Sequence, residues 1–119
     1  MSYDIYLRNP ETGDTIIFDE SHQISGGTYQ VGGSTEAWLN ITYNYAKHFY
    51  NVFGDKGIRF FYGMTARDSI PHLQEGIALL GNDVSSNYWE PTEGNAKKAL
   101  IQMLSLALMA PDAVWYGED

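Results

Sequence analysis

Residues 36–53, EAWLNITYNYAKHFYNVF, form the longest uninterrupted periodic segment of the chain. Its apolar positions recur at intervals of three and four residues, which is the spacing of one face of an α-helix. They are Leu39, Thr42, Ala46, Phe49 and Phe53. Polar and amphipathic side chains fill the opposite stripe, which consists of Glu36, Asn40, Tyr43, Asn44, Lys47 and Asn51. The pattern predicts a central amphipathic helix over 36–53, on which the rest of the chain packs.

Size and composition indicate one globular domain, residues 1–119. The chain has 119 residues and is 44% hydrophobic, which is enough for a substantial core. It has no cysteine, so disulfides, thiolate zinc sites and cysteine nucleophiles are excluded. The N-terminal sequence MSYDIYLRNP lacks the pattern of a signal peptide, and the apolar run 103–110 is too short to span a bilayer. We therefore expect a cytoplasmic protein without a membrane partner.

The charge balance argues against some partners. The net charge is -8, from 15 acidic residues against 7 Lys and Arg. Direct binding to nucleic acid or to an anionic membrane needs a basic face, so both are disfavoured. The acidic residues are scattered along the chain, which favours a solvated acidic surface over mimicry of nucleic acid.

The flanking segments predict an α+β domain. Alternating Tyr3, Ile5 and Leu7, a turn at 9–14 with Gly13 in a left-handed conformation, and a returning strand at 15–18 form an N-terminal β-hairpin. A second helix begins near Asp68 or Ser69 and ends near residue 80. Residues 58–62 are either a strand or core, and residues 113–116 are either an edge strand or a packed tail.

A third helix is expected over 92–110, with Thr92 as its N-cap. Its second half is apolar almost all round, which predicts burial on more than one side. The fold class is therefore three helices packed with a small, mainly antiparallel sheet that starts from the hairpin.

Candidate catalytic features are weak. Residues 32–35, GGST, precede the predicted central helix with Thr35 as one candidate cap, but they match neither known phosphate-binding loop and Glu36 follows them. His22, His48 and His72 lie too far apart in sequence for a helical metal pair. No nucleophile motif is present. We expect neither a catalytic residue nor a metal ligand nor a cofactor.

The stripe on the central helix is the stronger candidate for binding. Asparagine is a poor helix former, and its amide both donates and accepts, which suits recognition of a polar ligand. Aromatic residues of the kind that dominate binding surfaces lie in a later loop. The predicted partner-binding residues are Glu36, Asn40, Tyr43, Asn44, Lys47, Tyr88, Trp89 and Asn95. The alternative is structural: the asparagines fasten loops, the aromatic residues complete the core, and His48 makes a hydrogen bond at the helix edge.

Three runs carry a resemblance to known sequences. They are residues 35–59 (TEAWLNITYNYAKHFYNVFGDKGIR), 88–100 (YWEPTEGNAKKAL) and 111–115 (PDAVW). The chain resembles a set of small acidic proteins of bacteria and their phages that have no assigned activity. The resemblance implies a phage or prophage setting, in which such proteins inhibit a host protein, including a defence protein, or sequester a small host signal.

The resulting hypothesis is a non-enzymatic binding protein that holds a host protein or a small polar ligand. Two alternatives stay open. One is a small hydrolase or transferase that uses carboxylates with His22 or His72. The other is a self-associating virion or assembly component with an exposed aromatic patch.

Overall fold

The computed structural model describes residues 2–19, 29–30 and 35–118, and within them a four-stranded antiparallel sheet packs with three helices. The strands are β1 (Ser2–Arg8), β2 (Tyr29–Gln30), β3 (Trp38–Thr42) and β4 (Val114–Glu118), in the spatial order β2-β3-β1-β4. The helices are α1 (Ala46–Phe53), α2 (Ala66–Leu79) and α3 (Glu93–Met109). This architecture confirms the predicted α+β class.

The N-terminal hairpin is present at the end of β1. The Asn9 amide donates to the Asp14 carbonyl at 2.8 Å, and Gly13 has a φ of 77°, as its predicted left-handed position requires. Thr15 then forms an isolated antiparallel bridge with Arg8. The returning segment makes single bridges instead of a continuous strand.

The prediction of one helix over 36–53 is wrong for its first half. β3 occupies the positions that follow Ala37, and it pairs antiparallel with β1, with Ile5 opposite Leu39. A 3-10 turn at Tyr43–Tyr45 follows, and α1 itself has only 8 residues. Thr35 therefore caps no helix.

Two periodicities overlap in this segment, and pairing with β1 selects the shorter one. Ala37, Leu39 and Ile41 lie at every second position, and all three are fully buried. Ile41 and Thr42 are β-branched, which favours a strand over a helix. The helical spacing corresponds to an actual helix only from Ala46 onward, beyond the residues that pair with β1.

The other element boundaries refine the predictions. α2 begins after Thr65, whose hydroxyl accepts from the Asp68 amide at 3.1 Å, so the cap lies earlier than predicted. Thr92 caps α3 as predicted and accepts from the Asn95 amide at 3.1 Å. The segment Gly57–Phe61 is a 3-10 helix, which is the non-strand alternative. The C-terminal segment is the edge strand β4.

The core lies between the sheet and the helices. Trp115 of β4 is fully buried, and its indole Nε1 donates to the Ser69 hydroxyl of α2 at 2.9 Å. Gly76 of α2 lets Phe53 approach closely, since a Cβ there would lie 2.6 Å from the Phe53 ring. These contacts bring β4, α1 and α2 around one hydrophobic centre.

The second half of α3 differs from its prediction. Its inner side is buried, but Ile101, Leu108 and Met109 are exposed. The helix is therefore covered on one side only, although its sequence predicts burial on more than one.

Candidate functional site

The end of β3 forms the floor of the candidate site. The Thr42 hydroxyl accepts from the Asn44 amide at 3.2 Å and so caps the 3-10 turn. The Thr42 amide donates to the Tyr88 hydroxyl at 3.1 Å, and that hydroxyl donates to the Asn40 carbonyl at 3.3 Å. Tyr88 thus completes the backbone hydrogen bonding at the point where the strand ends.

Residues 81–92, called here the Trp89 loop, connect α2 with α3 and lie over this floor. The Asn44 side-chain amide donates to the Trp89 carbonyl at 2.7 Å. His48 of α1 donates through Nε2 to the Pro91 carbonyl at 2.8 Å, which is the hydrogen bond predicted for this histidine. Both acceptors are main-chain carbonyls, so the side chains of the turn and of α1 hold the loop by its backbone.

The buried side-chain amide of Asn95, on α3, fastens the loop to this helix. Asn95 is only 2% exposed. Its Nδ2 donates to the carbonyls of Asn87 at 3.1 Å and Glu90 at 3.0 Å, and its Oδ1 accepts from the Ser85 amide at 3.1 Å. Both hydrogens and the oxygen of this amide are used within the loop. Asn95 therefore acts on the site by fixing the loop.

The first residues of the loop pack directly on α3 at Gly94. A Cβ at this position would lie 2.6 Å from the Val84 nitrogen and 2.7 Å from the Asp83 carbonyl carbon. The Asp83 carboxylate also accepts from the Gly94 amide at 3.2 Å. The two main chains approach this closely only because residue 94 has no side chain.

The loop displays one large aromatic side chain. Trp89 is 53% exposed, and its indole packs nearly perpendicular to the Tyr88 ring at a centroid distance of 4.8 Å. Its amide donates to the Asn87 side chain at 3.1 Å, and its carbonyl accepts from Asn44. Both backbone polar groups of Trp89 are therefore hydrogen-bonded. A fixed, half-exposed tryptophan is the type of side chain that anchors a protein interface.

Two further predicted residues adjoin this surface. Lys47 is exposed on α1, one helical turn beyond Asn44. Tyr43 is half-buried, and its ring packs edge-on against Tyr3 at 4.6 Å. The structure thus brings together Asn44, Tyr88, Trp89 and Asn95, and Tyr43 and Lys47 flank Asn44 along the chain.

The remaining two predicted residues belong to the sheet, because the stripe that joined them was helical. Glu36 precedes β3 and bridges Ile17. Asn40 lies within β3, and its amide donates to the Ser2 hydroxyl at 2.7 Å and to the Asp4 carboxylate at 2.9 Å. Asn40 contacts the Trp89 loop only through its backbone carbonyl, which accepts from the Tyr88 hydroxyl.

The sheet face opposite the helices carries an aromatic cluster that was not predicted. The Arg8 guanidinium lies 4.7 Å from the Tyr6 ring centroid and 4.6 Å from that of Tyr116, and it donates to the Tyr6 hydroxyl at 2.8 Å. Burial and the hydrogen bond to the Glu118 carboxylate raise the pKa of Tyr6 above its usual value, while Arg8 opposes the shift. Alternation of residues in β1 is the only signal that places Tyr6 and Arg8 on this face.

The candidates for catalysis that the structure describes form no cluster. His22 and residues 32–34 lie outside the described residues, and the chain beyond Glu36 is a strand, so no helix N-terminus follows the glycine pair. His72 and Glu75 line a cavity of about 140 Å³ together with Phe53 and Phe60. Within the described ranges, no three His, Asp or Glu side chains form a group that could hold a metal ion.

Comparisons with known proteins give no relative. No protein-family model matches the sequence, and neither a curated protein nor a solved structure is significantly similar to it. Among the described helices, none has the length and apolar character that a membrane crossing requires.

Proposed function

We propose that this chain is a non-enzymatic binding protein that holds a protein partner through Trp89. The observation that carries the proposal is the half-exposed indole on a loop whose backbone is fixed by Asn44, His48 and Asn95. A loop that is already ordered loses little conformational entropy on binding, so more of the contact energy appears as affinity.

The surroundings of Trp89 favour a protein over a small polar ligand. The amides of Asn44 and Asn95, which would have recognised such a ligand, already donate to carbonyls of the loop. The indole is the only large aromatic side chain of the loop that stays exposed, and the Lys47 side chain is exposed on α1. The fitting partner has an apolar pocket for the indole and a carboxylate near it for Lys47.

The resemblance to phage proteins suggests that the partner is a protein of the bacterial host. In that setting the chain acts in the cytoplasm of a bacterial host and inhibits a host protein, for which a defence protein is the leading candidate. Activity then consists of occupying the partner, and it needs neither a cofactor nor turnover.

Affinity capture from bacterial cytosol with matched variants tests the proposal. The Trp89→Ala variant removes the anchor, and Leu79→Ala removes a side chain of similar exposure on α2. We expect a protein that the wild type and Leu79→Ala retain, and that Trp89→Ala binds about thirtyfold more weakly once it is purified and titrated. Equal retention of every captured protein by all three proteins would contradict the proposal. A small molecule that native mass spectrometry finds bound to the wild type would instead support the ligand alternative.

A further inference from the structure

The outer face of α3, defined as Lys98, Ile101, Ser105, Leu108 and Met109, is a largely apolar surface that no other described residue covers. Ile101 is 42% exposed, Leu108 60% and Met109 49%. Residues 99–111 include no charged side chain. A surface helix normally turns a polar face to water, and a continuous apolar stripe on a helix marks an interaction site.

The two ends of this face carry opposite charges. Lys98 lies at the N-terminal end, and no described residue hydrogen-bonds or ion-pairs with its ammonium group. At the other end, Glu11 and Asp112 line an open cavity of about 430 Å³, whose floor includes Ile16 and Met109. Asp112 pairs with Arg67 at 2.8 Å, which leaves the Glu11 carboxylate to give this end its negative charge.

We propose that the outer face of α3 binds a second copy of this chain, with the two helices antiparallel and Ser105 on the two-fold axis. Lys98 precedes Ser105 by as many residues as Asp112 follows it. Ile101 and Met109 are also equally far from Ser105, on its two sides. An antiparallel pair therefore sets Ile101 of each copy against Met109 of the other. The same register brings each Lys98 to the acidic end of the other copy.

Self-complementarity is the reason to choose a second copy over another protein. A two-fold interface uses the same patch twice, so each feature must find its complement within that patch. This face meets the condition, since it has a cation at one end, the Glu11 carboxylate beside the other end and mostly apolar side chains between them. The cavity beside Met109 provides space for Ile101 of the second copy.

Ser105 suits the centre of such an interface. It is small enough to let two helix backbones approach closely. Its hydroxyl donates to the Ile101 carbonyl at 3.1 Å within the same helix, so pairing would bury no unsatisfied donor.

Sedimentation of the full chain over a dilution series, with two variants of Ser105, tests the dimer. The wild type should show a monomer–dimer equilibrium that reaches dimer at high concentration. Ser105→Arg places two like charges and extra volume at the axis, and it should raise the dissociation constant at least about a hundredfold. Ser105→Ala should leave that constant unchanged or lower it. Because position 105 is exposed, both variants should keep the wild-type circular dichroism and thermal unfolding of the dilute protein.

A charge exchange tests the antiparallel register. Lys98→Glu and Glu11→Lys should each raise the dissociation constant about fivefold, since each breaks two equivalent surface pairs. The double variant should return it to the wild-type value. A wild type that stays monomeric at millimolar concentration, or a dimer that Ser105→Arg leaves intact, would overturn the proposal. A double variant weaker than either single one would overturn the register. Ser105→Arg should still bind the partner that depends on Trp89, so the two proposals fail separately.

Discussion

The Trp89 loop precedes α3 and the outer face runs along α3, and the two regions reach their exposure in opposite ways. The loop is mostly polar, side chains such as Asn95 hold its backbone through hydrogen bonds, and Trp89 is its one large exposed aromatic side chain. The outer face of α3 has an ordered backbone because it is helical, and Ile101, Leu108 and Met109 lie outside the hydrophobic core. The loop is ordered by tertiary contacts, whereas the helix face is ordered by local structure. Mutations should therefore damage the fold at the first region and spare it at the second.

The largest effect is expected at Asn95. Asn95→Ala removes three hydrogen bonds of a buried amide, each contributing on the order of 1 kcal/mol, so the free energy of unfolding should fall by about 3 kcal/mol. Urea denaturation measures this change. Asn51→Ala is the matched control, since Asn51 is exposed on α1 and should be replaceable within about 0.5 kcal/mol. Equal losses in the free energy of unfolding for the two variants would contradict the contrast between a loop ordered by side-chain hydrogen bonds and a helix ordered by its own backbone.

A smaller effect is expected where the loop packs on Gly94. In Gly94→Ala the new methyl group would meet main-chain atoms of Asp83 and Val84 below 3.0 Å, and backbone cannot move aside as a flexible side chain can. We expect a loss of about 2 kcal/mol in the free energy of unfolding, in spite of the better helix propensity of alanine.

Gly81→Ala in the same loop is the control for Gly94→Ala. Its nearest contact would be the Asp83 carboxylate at 3.6 Å, which is an ordinary van der Waals distance. Its stability should stay within about 0.5 kcal/mol of the wild type. If Gly94→Ala were tolerated as well as Gly81→Ala, the close approach of the loop to α3 would not be needed to order it.

The smallest effect is expected on the outer face of α3. Ile101→Gln exchanges an exposed apolar side chain for one of similar helix propensity, so the dilute protein should change by less than about 0.5 kcal/mol. Thermal unfolding at low concentration checks this. A loss comparable to that of Asn95→Ala would mean that Ile101 packs within the protomer, and the contrast between the two regions would disappear.

The candidate site shows how far residue type alone can lead. Asn44 stood out because asparagine is unfavourable within a helix, and Asn95 was among the predicted partner-binding residues. In the structure the amides of both fasten the Trp89 loop. Tyr88 and Trp89 stood out as amphipathic aromatic residues in a polar loop. Asn87 and Ser85, which order the loop from within, carried no signal that distinguishes them from other loop residues. Glu36 and Asn40 were joined to the site only by the helical stripe, which does not exist.

The sequence by itself determined the features that depend on local chemistry. These include the hairpin turn with Gly13, the Thr92 cap, the third helix and the α+β class. Each depends on residues that are neighbours along the chain, so composition and spacing are sufficient to predict it.

Only the tertiary structure decided the conformation of residues 36–45 and the exposure of α3. The alternation of Ala37, Leu39 and Ile41 competes with a helical spacing in the same residues, and pairing with β1 resolves the competition. The outer face of α3 is exposed because the sheet and α2 cover one side of that helix and nothing else in the described protomer covers the other. Both outcomes depend on contacts between residues far apart in the chain, and a local pattern holds no information about such contacts.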